Sequence, residues 1–360
     1  MRTLLRPSLD WLLIFVPVTL LLEFLAPAAH TLVFWTACLA IIPLAAWLGR
    51  ATEHLAEKTS EGTGALLNAT FGNAAEMIIA LMALKEGLGD LVKASLTGSI
   101  LGNLLLVLGA SALWGGLKFK TQKFSIEAAR VQATMLILAA IALVVPAVYH
   151  HLAGPLGQRS EAGLSLEIAV VLLASYALGL VFSLRTHRHY FCGHAGQPEK
   201  SVHGQLWSIR KSLIVLAVST ALVGWISEIL VGSVEHAAHA FGMTSLFVGV
   251  IIVGIVGNAA EHSTAILAAR KNKMDLSVGI AAGSTIQIAL FVAPVLVLAS
   301  YWIGPRPMDL VFTPAEVLAI VMAVWIAGHI AGDGESNWLE GAQLLAVYLV
   351  IAIVFYFLPG

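Results

Sequence analysis

Long apolar runs separated by short polar segments dominate the pattern of this 360-residue chain. A helix needs about 20 mostly apolar residues to cross a bilayer. Eleven runs fit, at about 9–28, 31–49, 63–85, 91–114, 126–149, 165–186, 209–232, 244–269, 276–303, 314–331 and 338–358. None shows the strict alternation of barrel strands. We therefore predict an all-α polytopic membrane protein with eleven transmembrane helices.

The first apolar run has some features of a cleaved signal peptide, with a basic start and Ala26-Pro27-Ala28 near its end. Asp10 and Glu23 interrupt it, however, and it is long for the apolar region of a signal peptide. We expect a retained helix. Cleavage would leave ten spans and the same core.

Composition agrees with a membrane protein. Hydrophobic residues make up 59% of the chain and charged residues 11%, whereas soluble domains have about 25% charged residues. The net charge of −1 carries no signal for nucleic-acid binding. Cys38 and Cys192 fit neither a disulfide framework nor a Cys-x-x-Cys metal site.

The distribution of basic residues predicts the orientation. With the N-terminus in the cytoplasm, 16 lysines and arginines fall on inner segments and 4 on outer ones, which accounts for all 20. Cytoplasmic loops of membrane proteins carry such an excess. We therefore predict a cytoplasmic N-terminus and an external C-terminus.

The chain contains an internal repeat. Aligning 71–110 with 256–295 without a gap gives 13 identities in 40 positions, at Gly72, Asn73, Ala74, Ala75, Glu76, Ala80, Ala83, Asp90, Leu91, Gly98, Ser99, Leu105 and Val107. The two copies of Gly-Asn-Ala-Ala-Glu lie in the third and eighth predicted spans. Five crossings separate these spans, so the copies run in opposite directions. Transporters are often built from such inverted repeats.

Glu76 and Glu261 are the main candidates for a functional site, because a carboxylate near the middle of a membrane is costly. At a spacing of three residues, Asn73 and Asn258 should share the helix faces of these glutamates. Calcium takes six to eight oxygen ligands. Two bidentate glutamates would supply four, and the asparagines, backbone carbonyls near Gly72 and Gly257, and water would supply the rest.

The same two glutamates suit proton coupling. Burial and a neighbouring acid both favour the protonated form of a carboxyl group, and a divalent cation bound between two carboxylates reverses both effects. A cation and protons would then compete for one site. That is the minimum requirement for antiport.

Other polar residues are candidates for a supporting role in the pathway. Ser99, Asn103, Ser284 and Gln287 lie in the next span of each half, where helix packing and hydrogen bonding are the alternative roles. His262 follows Glu261 and either relays protons or packs as a hydrogen-bonded histidine.

Three weaker candidates lie outside the repeated motifs. Glu53 and Glu228 either line a vestibule or are solvated charges at helix ends. The loop with Asp333, Glu335 and Glu340 lacks the length and final glutamate of an EF-hand. The histidines of the polar stretch 187–207 match no known metal-site spacing, and a solvated loop is the preferred interpretation.

The motifs resemble those of the calcium/proton antiporters, the CAX family. Asn68 to Glu76 together with Ala94 to Asn103 resembles the first family repeat. Val256 to His262 together with Gly283 to Ala289 resembles the second, and Asp333 to Gly341 resembles the penultimate loop. The resemblance covers nearly the whole chain, and its length is similar to that of prokaryotic members.

The resemblance implies an extra first helix (1–29), a five-helix repeat (30–187), a cytoplasmic linker (188–207) and a second, inverted five-helix repeat (208–360). It implies that Glu76 and Glu261 bind the cation and exchange it for protons, so that cytosolic Ca²⁺ leaves the cell as protons enter. The linker is often acidic in relatives, whereas here it holds only Glu199 among histidines. A calcium-sensing role for the linker is therefore not implied.

The expected partners are Ca²⁺, H⁺ and the lipid bilayer of a prokaryotic plasma membrane, with no cofactor and no nucleic acid. Oligomeric state, a homo-oligomer included, stays open. The alternatives are a proton-coupled antiporter for Mn²⁺ or Na⁺, whose oxygen sites overlap with those of Ca²⁺, and a Na⁺/Ca²⁺ exchanger. A cation channel would need a continuous pore. An intramembrane hydrolase would need a nucleophile–base pair or a metal-ligand set that the sequence does not offer.

Overall fold

The computed structural model describes residues 9–59, 61–157, 160–191 and 207–358. Most of the predicted linker lies outside these ranges, including Cys192, His194 and His203. The first eight residues also lie outside them.

The described chain is almost entirely helical. Its helices are α1 Phe15–Leu25, α2 His30–Ala56, α3 Glu61–Phe71, α4 Ala74–Lys85, α5 Gly89–Leu101, α6 Leu108–Phe119, α7 Ile126–Gly157, α8 Glu161–Val181, α9 Arg188–Phe191, α10 Ile209–Ala240, α11 Ser245–Phe247, α12 Gly254–Arg270, α13 Met274–Gln287, α14 Ala293–Ile303, α15 Pro314–Ile330 and α16 Trp338–Phe357. The strands are β1 Thr121–Lys123 and β2 Glu335–Asn337.

Wider π-helical turns join several of these helices into longer rods. They are Gly102–Val107 between α5 and α6, Phe182–Thr186 after α8, Val248–Val253 between α11 and α12, and Ile288–Val292 between α13 and α14. The first and last of these fall at matching places in the two repeats. Such turns are frequent at functional sites.

Nine continuous helical stretches within the described residues are long and apolar enough to cross a membrane. They are His30–Ala56, Gly89–Phe119, Ile126–Gly154, Glu161–Thr186, Ile209–Ala240, Ser245–Arg270, Met274–Ile303, Pro314–Asp333 and Trp338–Phe357. The helical, multi-pass fold is thus confirmed. The count of eleven stays a prediction.

The two remaining predicted spans are shorter or broken. The first consists of a 3₁₀ segment, Leu9–Ile14, followed by α1. The third, expected as one helix over 63–85, is broken at Gly72 and Asn73 into α3 and α4. The repeat alignment does not reveal this break, because the corresponding residues of the second copy lie inside the continuous helix α12.

Polar contacts and one strand pairing sort the described residues into two faces. On one face, Lys118 donates to the Arg270 carbonyl at 3.3 Å and β1 pairs antiparallel with β2. On the other, Lys85 pairs with Glu228 at 2.8 Å and Lys93 with Asp309 at 3.2 Å. Every pair joins residues that the eleven-span topology places on one side. We call the side with the α6–α7, α12–α13 and α15–α16 loops the basic face, and the other the opposite face.

The core of the bundle is formed where the two repeats cross. Helix α5 packs against the π-helical turn before α12, and a Cβ added at Gly98 would overlap the Val250 carbonyl oxygen. A Cβ added at Gly254 would lie 2.7 Å from the Gly98 carbonyl carbon. Glycine at these positions therefore permits a close helix crossing between the fourth predicted span and the eighth, which carries the second motif.

Candidate cation site

Glu76 lies in the first turn of α4, at the break in the third predicted span. The positive end of a helix dipole favours a carboxylate there. Glu76 packs against Gly257 of the second motif, where an added Cβ would lie 3.2 Å from Glu76 Cγ and 3.4 Å from Oε1. Glycine at 257 therefore gives room for the carboxylate of the other repeat.

Glu261 lies in the middle of α12 and interacts electrostatically with the rest of the site. Its carboxyl group lies close enough to those of Glu76 and of Glu53 in α2 for electrostatic interaction. The Oε2 atom of Glu261 is buried and has no hydrogen-bond partner among the described residues. A buried, unsatisfied oxygen of this kind calls for a ligand, an ion or a water molecule.

The two motif asparagines make matching bonds across the repeats. Asn258 Nδ2 donates to Ser99 Oγ at 2.9 Å, and Ser284 Oγ donates to Asn73 Oδ1 at 2.9 Å. Each motif is thus tied to the serine of the other repeat. The direction of the bond differs, however, so the Asn73 carbonyl oxygen is occupied. In the described structure, Asn258 Oδ1 is buried without a partner.

A continuous hydrogen-bonded chain extends from the Asn73–Ser284 pair. Asn73 Nδ2 donates to Gln287 Oε1 at 2.7 Å, and Asn103 Nδ2 donates to Ser284 Oγ at 3.1 Å. The Asn103 carbonyl lies 3.1 Å from His262 Nε2. Since that carbonyl only accepts, His262 carries its proton on Nε2 when neutral.

The structure brings the predicted site residues to one place. Asn73 is the residue directly before the first turn of α4 (φ −101°, ψ 30°), and its backbone carbonyl accepts from the Met77 amide at 3.0 Å. One detail of the expected geometry is wrong. Gly257 lies inside α12, so its neighbourhood is not a broken helix with free carbonyls. Only the first copy is interrupted.

A small cleft leads to Glu76 between the two repeats. Its lining combines the glutamate with small polar and apolar residues, namely Glu76, Ile79, Ser95, Leu96, Ser99, Val253, Gly257 and Ile288. Ser95 was not singled out from the sequence. Its spacing of four residues from Ser99 on α5 was the available signal.

A further buried acid, Glu316, was also not identified from the sequence. Glu316 is 2% exposed and accepts from Thr97 Oγ1 at 3.1 Å, from Thr313 N at 2.9 Å and from Thr313 Oγ1 at 2.8 Å. Thr313 and Glu316 form a capping box at the start of α15. The sequence Thr-x-x-Glu is the signature of such a capping box and could have predicted it. Glu316 thus has a structural role at the start of α15.

The weaker candidates have local structural roles. Glu335 pairs with Lys123 at 3.1 Å, and Glu340 caps α16 through the Asn337 amide at 3.1 Å. Asp333 Oδ1 accepts from the Glu335 amide at 3.1 Å. No group of three or more metal-ligating His, Cys, Asp or Glu side chains occurs in the parts of the chain that the structure describes.

Comparison with known proteins agrees with this architecture. Residues 29–185 and 211–357 match the family model described as sodium/calcium exchanger protein. These two matched segments begin and end near the predicted repeat boundaries.

Individual relatives are similar over almost their whole length. The chain is 48% identical to a Ca(2+)/H(+) antiporter of Aphanothece halophytica, covering 97% of this chain and 96% of the relative. It is 51% identical to the Ca(2+)/H(+) antiporter ChaA of Bacillus subtilis, covering 89% and 91%. The crystal structure of the Ca2+/H+ antiporter protein YfkE superimposes with a TM-score of 0.81 at 45% identity, covering 97% and 100%. The chain thus belongs to the sodium/calcium exchanger protein family, in its calcium/proton antiporter (CAX) group.

Proposed function

We propose that this protein is a secondary active transporter that exchanges Ca²⁺ for protons at a site between Glu76 and Glu261. The observation that carries the proposal is a pair of buried oxygens, Glu261 Oε2 and Asn258 Oδ1, without hydrogen-bond partners within the described chain. They lie where the two inverted repeats cross. Both oxygens are hard donors of the kind that Ca²⁺ prefers.

Calcium binding requires more ligands than these two atoms. Glu76 brings a second carboxylate, and Ser99 brings a hydroxyl that lies in the same cleft. Water supplies the remaining positions in the flexible coordination shell of Ca²⁺. The positively charged ion would stabilise two carboxylates that otherwise repel each other.

Proton coupling follows from the same repulsion. Two neighbouring carboxylates in a poorly hydrated site are stable when a divalent cation binds or when protons neutralise them. Either form loads the site with little net charge, whereas the empty charged pair resists sealing from water. Ca²⁺ binding should therefore weaken as the pH falls, because protons compete for the same oxygens.

The direction of transport depends on the orientation in the membrane. We infer that the basic face is cytoplasmic, since it carries most of the lysines and arginines. The N-terminus is then inside the cell and the C-terminus outside. The inward proton gradient of a bacterial plasma membrane would then drive cytosolic Ca²⁺ outward.

The relatives argue against the alternative functions. The bacterial relatives are named as Ca2+/H+ antiporters, which favours protons over Na⁺ as the coupling ion. Selectivity for Mn²⁺ or Na⁺ over Ca²⁺ is an outcome of the test below. A channel or an enzyme has no supporting observation in the fold or in these names.

Proteoliposomes with an acidic lumen test the proposal. We expect Ca²⁺ uptake that requires the pH gradient, stops with a protonophore, and vanishes in Glu76→Gln and in Glu261→Gln. Glu127→Gln, at an exposed acid in the first turn of α7, is the matched control and should transport normally. Calcium flux independent of the gradient would indicate a channel. Proton release driven only by Mn²⁺ or Na⁺ would keep the mechanism and change the substrate.

A further inference from the structure

The two repeats are alike in sequence but unlike in packing at one pair of positions. In the gapless alignment, Ala94 and Gly98 of α5 correspond to Gly279 and Gly283 of α13. Each pair is spaced by four residues and therefore forms one face of its helix. A repeat in two conformations is the basis on which inverted-repeat transporters open to alternate sides.

The first pair is closed. Ala94 is fully buried, and its Cβ lies 2.6 Å from where a Cβ on Gly249 would be. Gly98 is buried against Val250, where an added methyl group would overlap the carbonyl oxygen. This seam lies in the half of the bundle nearest the opposite face, because α5 begins there at Gly89.

The second pair is open. Gly279 and Gly283 are both partly exposed, and a Cβ at either one would meet no described atom within 4 Å. This face of α13 lies in the half nearest the basic face, because α13 begins there at Met274. In the repeat register, the counterpart of the closed seam's 248–253 segment is 63–68 of α3. Within the described residues, α3 and α13 make at most marginal contact.

We propose that Gly279 and Gly283 form a second seam, which closes against α3 when the site opens to the opposite face. In that state α13 would approach α3 as α5 now approaches the turn before α12. Gly283 is the position that decides the fit, because its counterpart Gly98 has no space for a methyl group. Gly279 is less demanding, because its counterpart is already an alanine.

This inference rests on the proposed function, since a transporter needs both states. It assigns positioning roles to two residues that do not contact the cation. It also predicts that alanine at Gly283 is harmful and alanine at Gly279 is not, which the described conformation alone would not predict. Both glycines are open here, so alanine at either should be accepted equally if only this conformation mattered.

Three proteins should be compared in proteoliposomes: the wild type, Gly279→Ala and Gly283→Ala. We expect Gly279→Ala to exchange Ca²⁺ for protons at a rate within about twofold of the wild type, and Gly283→Ala to be about tenfold slower. Equilibrium binding of ⁴⁵Ca²⁺ in detergent and the melting temperature should be unchanged in both. Loss of rate with intact binding separates a seam from damage to the neighbouring Ser284.

Several outcomes would overturn the seam. These are equal rates for all three proteins, an equal loss in both variants, or a Gly283→Ala protein that fails to bind Ca²⁺. A Gly283→Ala protein that does not fold would contradict the observation that a Cβ at Gly283 has open space around it.

The wild type distinguishes failure of the seam from failure of the proposed function. No Ca²⁺-driven proton flux in the wild type would refute the function and the seam together. Normal wild-type exchange beside a normal Gly283→Ala refutes the seam alone.

Discussion

At the scale of single residues, the two motif asparagines are equivalent in sequence but differ in their hydrogen bonds. Asn73 and Asn258 occupy the same place in the two copies of Gly-Asn-Ala-Ala-Glu, and each bonds to the serine of the other repeat. The bonds run in opposite directions. Asn73 therefore accepts through its carbonyl, whereas the Asn258 carbonyl is left without a partner within the described chain. Of the two side-chain carbonyls, we therefore propose that of Asn258 as the cation ligand.

Truncating the two asparagines should therefore have unequal effects on Ca²⁺ affinity. Asn258→Ala removes the oxygen that we propose as a ligand, and we expect the Kd for Ca²⁺ to rise about tenfold, or about 1.4 kcal/mol. Asn73→Ala removes a carbonyl that is already occupied and should raise the Kd less. Isothermal titration of both variants at one pH measures the difference. A larger effect at Asn73 would show that the hydrogen-bond directions reverse when the ion binds.

At the scale of secondary-structure elements, polar contacts at a helix end fix where α15 begins and which helix it packs against. Helix α15 begins at a capping box whose glutamate, Glu316, is buried and also bonded to Thr97 of α5. The cap thus fixes the start of one helix and joins it to another. Its loss would leave polar groups of Thr97 and Thr313 without their bonds inside the protein.

Removing this cap should cost stability without affecting the cation site. We expect Glu316→Ala to lower the free energy of unfolding by about 1–3 kcal/mol, because buried groups lose their hydrogen-bond partner. Glu127→Ala is a control at another first-turn acid, which is exposed, and its effect should be within about 0.5 kcal/mol. Thermal unfolding in detergent, beside ⁴⁵Ca²⁺ binding, measures both. Equal melting temperatures would contradict a structural role for Glu316.

The sequence predicts the membrane-spanning segments and the site residues that lie close together. It does not predict that one motif-bearing span is broken and that the other contains a π-helical turn. Hydrophobic periodicity and charge locate the spans, and the duplicated motif identifies Glu76 and Glu261 as neighbours. The break before α4 and the π-helical turn before α12 fall in matching spans of the two copies, yet they take different forms. Tertiary packing differs in parallel: a Cβ added at Gly98 would overlap the Val250 carbonyl oxygen, whereas a Cβ added at its counterpart Gly283 would meet no described atom within 4 Å beyond its own helix.

At the scale of the whole molecule, the side of the membrane on which each face of the bundle lies sets the proposed direction of transport. Contacts such as Lys85 with Glu228 and β1 with β2 establish which loops share a face. We infer which face is inside the cell from the distribution of basic residues.

Cysteine labelling in intact cells tests the orientation. Glu86→Cys is exposed on the opposite face and Lys271→Cys on the basic face, each combined with Cys192→Ser, while Cys38 is buried. We expect a membrane-impermeant maleimide added outside to react with Glu86→Cys only. Lys271→Cys should react after the cells are permeabilised. The reverse labelling pattern would show that the protein has the opposite orientation in the membrane, and that the proposed direction of Ca²⁺ movement is reversed.

The last described helix belongs to the second repeat but packs against the first. Helix α16 lies along α6, where a Cβ at Gly341 would overlap the Leu113 amide nitrogen, and β2 just before α16 pairs with β1 just after α6. During biogenesis, the first half is therefore inserted long before its partner helix is synthesised. Until then, the glycine-lined face of α6 is covered only by lipid or by the insertion machinery. A chain terminated just before α16 should retain its other spans but leave this face of α6 without its partner helix.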